Sequence, residues 1–199
     1  MKNSKLIETA IEALTCLPGV GPKSAQRMIY SLLKNNRHGG INLSQVLKQA
    51  MTEVSNCSVC QTYTENEICE ICLNKDRLAT GTVCVVENPS DIIAVERTGQ
   101  FDGRYFVLHG NLSPIDGISP EDLKIDILEN QLKSGNISEV ILATSSTIHG
   151  EATALFISEI CKKYKIQSTR IAYGIPIGGE LDLVDGSTLI HAFSGRKTY

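Results

Sequence analysis

Four cysteines stand as two pairs, Cys57-x2-Cys60 and Cys69-x2-Cys72, with eight residues between the pairs. A two-residue gap lets one turn present both sulfurs of a pair, and two such turns supply the four soft thiolates that tetrahedral zinc takes. A lone pair would leave iron–sulfur or redox chemistry open; two pairs at this spacing point to zinc. The set leaves no open coordination position, so the site is expected to be structural. The metal's apparent binding energy, about 10–16 kcal/mol, would fold a segment too short to own a core. Cys16, Cys84 and Cys161 sit singly in apolar segments and are expected in the core. Seven cysteines, an odd number with no secretion signal, argue against a disulfide framework.

The second candidate is the stretch LPGVGPKSAQRM, Leu17 to Met28. Gly19 and Gly21 can take backbone angles closed to other residues and let a bulky anion reach main-chain N–H groups. Pro22 suits a first helical turn, where its missing N–H is no loss. The helix then aims its unpaired N–H groups and positive dipole end outward. Lys23 and Arg27 are four apart and share a face. Leu14, Leu17 and Val20 are expected to anchor the turn between two helices. The arrangement resembles a helix-hairpin-helix motif, which grips the DNA backbone without reading bases.

Apolar residues at helical spacing predict three helices around this turn, through Leu6–Leu14, Ala25–Leu33 and Leu43–Val54, with NNRHGG as a loop between the last two. After Ala79 short β-rich runs alternate with helical ones. The strands are TVCVVE, RYFVLHG, SEVILATSS and QSTRIAYG; the helices fall in NPSDIIAVERTG, SPEDLKIDILENQLKSG, GEATALFISEICKKY and DGSTLIHAF. SPEDLKIDILENQLKSG carries a Ser-Pro start, an acidic first turn and a terminal Gly. This alternation predicts a mostly parallel sheet covered on both faces, with ligands at the carboxyl ends of its strands.

Composition fits a globular chain: 42% hydrophobic, 21% charged, net charge −3. The charge is uneven. Residues 1–56 hold seven Lys/Arg and three Glu, while the remainder is acidic. A nucleic-acid contact is therefore expected at the N-terminal part. No apolar run is long enough to span a membrane and no signal peptide is read, so a cytoplasmic location is expected.

Taken in order, LPGVGPKSAQRM, the paired CxxC, LSPIDGI, GEATA and RIAYGIPIGGELDLVD closely resemble the RecR family of bacterial recombination mediators, over essentially the whole chain. The resemblance implies a multi-domain α/β protein. Its parts would be a helix-hairpin-helix domain at 1–56, a four-cysteine zinc finger at 57–72 and a Rossmann-like Toprim domain at 80–173. A C-terminal helical or extended, Walker-B-like segment would fill 174–199. It also implies a ring-shaped oligomer, usually a tetramer, that encircles DNA. RecO and RecF are the implied partners, in loading RecA onto single-stranded DNA.

Catalytic Toprim enzymes carry a Glu after the first strand and an Asp-x-Asp pair after the third, which hold Mg²⁺. Here Glu87 takes the first place, but Ser145 and Thr147 stand where the acids would be. No catalysis is expected. The rival reading is a Mg²⁺-dependent nuclease or primase using Glu87 and Glu151; on the mediator reading these two are candidate partner contacts. Tyr105 and Tyr173 are expected to pack in strands. The family usually has Asn-Pro-Thr-x-Glu-Gly-Glu where this chain has Ser145-Ser146-Thr147-Ile148-His149-Gly150-Glu151, and often Gly where it has His109. GIPIGGELDLVD could pass for half an ATP site. The chain lacks GxxxxGK[ST], so a loop feeding a strand or a subunit contact is expected there.

Overall fold

The computed structural model describes residues 4–196 and residue 198. The ends of the expected first and last domains, residues 1–3, 197 and 199, lie outside the described residues. The chain divides into two units, Met1–Val54 and Ser55–Tyr199.

The first unit is three helices: α1 (Lys5–Leu14), α2 (Pro22–Asn35) and α3 (Arg37–Glu53). Pro22 opens α2 behind Gly21 as N-cap. The expected NNRHGG loop is absent: α3 begins at Arg37, one residue after α2's C-cap. Asn36 makes this possible, because its side chain accepts the Gly39 N–H at 2.9 Å and caps the new helix. A Cβ on Gly39 would lie 2.3 Å from that side chain, and one on Gly40 3.7 Å from Leu32. The two glycines thus serve a cap and a close helix–helix approach, not a loop.

The second unit begins with a two-stranded antiparallel ribbon, β1 (Ser55–Asn56) and β2 (Tyr63–Thr64), followed by the short helices α4 (Glu70–Leu73) and α5 (Lys75–Ala79). A four-stranded sheet follows: β3 (Thr82–Val86), β4 (Arg104–Val107), β5 (Glu139–Ala143) and β6 (Gln167–Arg170), in the order β4-β3-β5-β6 and parallel throughout. The crossover helices are α6 (Pro89–Glu96), α7 (Ile125–Lys133) and α8 (Ile148–Lys163). Alternate residues of the strands feed two cores. Val83, Val85, Phe106, Val140 and Leu142 pack against Leu128 and Leu132 of α7 and Ile157 of α8. Cys84, Val86, Tyr105 and Val107 pack against Ile92 of α6, with Ile71 of α4 beside them.

Arg77 of α5 ties the outer parts to this sheet. Its two terminal nitrogens donate to Glu96 Oε1 and Oε2 at 2.9 and 2.6 Å, and Nη1 also donates to the Gly103 carbonyl at 2.9 Å. Tyr105 packs in its strand as expected, and its hydroxyl donates to Glu96 at 2.5 Å.

The helix expected over SPEDLKIDILENQLKSG starts later than its signals suggest. Asp122 accepts from both the N–H and the hydroxyl of Ser119, at 2.9 and 2.8 Å, and closes a local turn. Lys124 then takes a left-handed conformation, φ 54°, and α7 begins at Ile125. The Ser-Pro-acidic signal marks a turn that competes with helix. After β6 the chain is irregular to a 3₁₀ turn, Leu181–Leu183, and ends in α9 (Gly186–Ser194), capped by Asp185 through the Thr188 N–H at 3.0 Å. GIPIGGELDLVD therefore leads into a helix and not a strand. Cys84 and Cys161 are buried as expected, and burial pushes their thiols up to about 12 and about 11. Cys16 is exposed, contrary to expectation, because it sits in the turn after α1.

Candidate nucleic-acid interface and zinc site

In the first unit Gly19 takes φ 78°, a left-handed angle that a side chain would strain. Gly21 does not share this need: its φ of −85° and ψ of 169° are ordinary extended values. What Gly21 contributes is open space, since a Cβ there would meet nothing within 4 Å. As an N-cap without a side chain it leaves the first-turn N–H groups of α2 unsatisfied. Lys23 and Arg27 stand exposed on the helix that follows, and neither has a partner among the described residues. The turn is less anchored than expected. Leu14 and Val20 are partly buried, but Leu17 remains 48% exposed.

The second unit brings Cys57, Cys60, Cys69 and Cys72 together, with all four sulfurs within 4.8 Å of one another. Cys60 and Cys69 Sγ are 3.5 Å apart. Zinc–sulfur bonds of about 2.3 Å require edges of about 3.8 Å, so small shifts close a tetrahedron. Without a cation among them the sulfurs oppose one another's charge: the Cys72 side chain and burial push the Cys60 thiol up, and burial pushes Cys69 up to about 11, while Cys57 goes the other way. Burial alone would raise the Cys57 thiol, but backbone N–H groups of Cys60, Cys69 and Val59 bring it down to about 7. The Cys69 N–H points at Cys57 Sγ at 3.3 Å. No other group of three or more metal-ligating side chains gathers among the described residues. The four cysteines fit a closed structural zinc site.

The site is fastened to the sheet by three carbonyls close together in sequence. Gln131 of α7 donates to Val59 O at 2.7 Å, the Val107 N–H to Cys60 O at 2.8 Å, and His109 Nε2 to Gln61 O at 2.7 Å. His109 also explains its own position. Its φ of 57° is left-handed, the conformation that favours the glycine often found there, and its ring lies 5.1 Å from that of Tyr63. A histidine tolerated at that angle gains a foothold on the zinc segment.

At the carboxyl ends of the strands, β3 and β5 flank the point where strand order reverses. Glu87 lies there, and its carboxylate accepts the Ser145 N–H at 2.5 Å. Ser145 and Thr147, in the places of the catalytic acids, hydrogen-bond each other at 2.8 Å. Glu151 is held by Arg170 at 2.6 Å and by the Tyr173 hydroxyl. Burial opposes its charge, but the Tyr173 and Arg170 hydrogen bonds prevail and hold its carboxyl below the usual range. Arg170 also donates to the Thr144 and Ser145 carbonyls at 3.1 and 2.9 Å, fixing the loop after β5. Tyr173 is thus not strand packing. It lies beyond β6, and its ring meets His191 of α9 at 4.7 Å. Sequence reasoning missed Arg170 because a strand arginine carries no signal of its partner. His149 Nδ1 faces the Leu112 carbonyl at 3.2 Å, a structural contact.

Family models match the chain in succession. The RecR helix-hairpin-helix model covers residues 7–51, the RecR four-cysteine zinc finger 54–74, a Toprim domain 81–172 and the RecR C-terminal model 174–197. The chain belongs to the RecR family. As in RecR proteins, a helix-hairpin-helix, a four-cysteine zinc finger and a parallel-sheet Toprim domain follow one another. The RecR zinc finger match and the four gathered sulfurs make zinc its structural metal. RecR domains support a role as a recombination mediator, and the helix-hairpin-helix suggests DNA as ligand. No helix among the described residues is long and apolar enough to cross a membrane.

Proposed function

We propose that the protein is a non-enzymatic DNA-binding mediator of recombinational repair in the cytoplasm, acting with RecO and RecF to load RecA on single-stranded DNA. Lys23 and Arg27, helped by Gly19 and Gly21, hold backbone phosphates. The observation that carries this reading is the pair of unpartnered cations beside an open hairpin and a bare helix N-terminus. One such clamp is weak; several in a ring gain effective concentration, and closure around DNA adds retention.

Assembly into a ring, most simply a tetramer, is supported by the apolar surface of the first unit. Ala25 is its one buried apolar residue among those described, while Leu6 and Met51 are 79% and 78% exposed. A cavity of about 400 Å³ opens among Leu6, Ile7, Ala10, Ile29 and Leu33. So small a unit needs a partner to complete its core. Glu87 and Glu151, at the open end of the sheet, are the proposed partner contacts.

The nuclease or primase alternative is disfavoured by the donor set. The Asp-x-Asp places hold neutral hydroxyls, and Glu151 is committed to Arg170. Replacing Lys23 and Arg27 together by Ala tests the main reading. DNA affinity is expected to fall, and the dependence of log K on log salt to flatten by about one for each phosphate no longer neutralised. Zinc content and helicity should be unchanged. Unaltered DNA binding would refute the assignment.

A further inference from the structure

Three arginines of the second unit are withdrawn from solvent: Arg77, Arg104 and Arg170. Two of them are met by carboxylates. Arg77 and Arg170, each with a side chain 20% exposed, face Glu96 and Glu151 at 2.6 Å and donate to backbone carbonyls as well. Arg104, which opens β4, is set deeper, at 7% exposed. Yet it makes no hydrogen bond and no ion pair among the described residues, and its Nε is buried with no partner. The acids at this end of the sheet are engaged elsewhere. Glu96 is taken by Arg77 and Tyr105, and Glu139 of β5 accepts the Thr169 hydroxyl at 2.7 Å. Asp102, two residues before Arg104, forms no ion pair with it. The strand start is pinned besides. A Cβ on Gly103 would lie 2.7 Å from the Thr82 carbonyl oxygen, and the Gly103 carbonyl is held by Arg77 at 2.9 Å. A shift of main chain therefore brings Arg104 no partner.

A guanidinium does not shed its proton to escape burial, so the charge stays. A buried charge without a counter-charge is strongly destabilising, and an apolar side chain of similar volume serves a core better. The same face of the sheet carries Val83, the register partner of Arg104, and Phe106, both in the core. What the arginine adds to that face is a fork of donors. Nε is sealed, and Nη1 and Nη2 are not among the buried unpaired atoms, so the two terminal nitrogens are its way out to a ligand. A group with two oxygens on one atom matches such a fork with two parallel hydrogen bonds. So little of the side chain is exposed that only a small anion, or a ligand with its oxygens at the tip, reaches it. We propose that Arg104 is the floor of a site for a small oxyanion, a carboxylate or a phosphate, held end-on by its two terminal nitrogens. The site lies at the amino end of the sheet, opposite the end that carries Glu87, and in the other unit from Lys23 and Arg27. It stands independently of the nucleic-acid reading.

The test is the melting temperature of the zinc-loaded full-length protein in potassium phosphate and potassium acetate series, with potassium chloride at equal ionic strength and pH as the reference. At least one oxyanion should raise the melt saturably, by about 3–6 °C at ten times its dissociation constant, while chloride does not. A response to acetate identifies a site that accepts carboxylates, and a response to phosphate alone a phosphate site. Phosphate also suits the cations of α2, so the series is repeated with Lys23→Ala and Arg27→Ala together, where the rise should persist. Arg104→Met, which keeps an unbranched stem and removes the charge, should abolish the rise and melt in chloride no lower than the parent. Arg104→Lys keeps the charge without the fork and should respond more weakly. In the parent protein the Arg104 Nε–H resonance should shift through the titration with the same midpoint, a measurement that needs no variant to fold. No saturable rise with either oxyanion overturns the proposal. So does a rise that survives Arg104→Met or vanishes in the Lys23/Arg27 variant. A melt of Arg104→Met well below the parent in chloride would show that Arg104 serves the fold and not a ligand.

Discussion

Glu96 shows how one carboxylate gathers distant segments. It receives Arg77 from α5 and the Tyr105 hydroxyl from β4, and the Arg77 hydrogen bond holds its carboxyl below the usual range against the opposing effect of burial. Arg77 and Glu96 are 20% and 32% exposed, so the pair is worth less than a fully buried one. Glu96→Gln is expected to cost about 1–2 kcal/mol at neutral pH by denaturant unfolding. A depressed carboxylate stabilises the fold above its unfolded pKa, and that contribution is lost as pH falls through the folded value. The gap between parent and variant should therefore be constant above pH 5 or so and close progressively below about 4.3. A gap that widens on acidification would contradict the assignment. None of these partners was legible in the sequence: Arg77 and Glu96 are 19 residues apart and nothing in their spacing marks them. The four cysteines were legible as a set, because ligand spacing is a local constraint.

Gly150 plays the matching part at the scale of elements. It sits in the first turn of α8, where a Cβ would come within 2.3 Å of the Ser145 carbonyl oxygen. Its carbonyl accepts the Thr144 hydroxyl at 2.8 Å, so loop and helix are pressed together here. Gly150→Ala has no flexible neighbour to push aside and should cost about 1–3 kcal/mol, read as a lowered melting temperature. An unchanged melt would show that the loop yields freely. The parallel type of the sheet followed from the alternation of strands and helices, and β3 and β4, buried nearly throughout, are mostly apolar runs, whereas the edge strand β6 is polar. Helix ends were less legible. Asn36 and Asp122 each offer a side chain to nearby backbone, and which way that choice falls depends on packing. Gly39 and Gly40 read as loop residues, yet Leu32 lies close enough to Gly40 to make them helix contacts.

The two units differ in how they hold together. In the sheet unit, strands and helices bury a continuous interior on each face. The three-helix unit leaves most of its apolar residues uncovered, which composition could not reveal because apolar content says nothing of what covers it. The zinc segment belongs with the sheet unit and is fastened to β4, the outermost strand on its side. There the Cys60 carbonyl occupies the outward N–H of Val107. A metal that holds this segment in shape would thereby also keep that edge N–H covered, on a strand that could otherwise template growth with a neighbouring molecule. Stripping the ion with a chelator under reducing conditions should produce scattering species larger than the zinc-loaded protein while far-ultraviolet dichroism still reports most of the helices. A preparation that stays monodisperse after complete removal would mean that the edge stays covered without the ion.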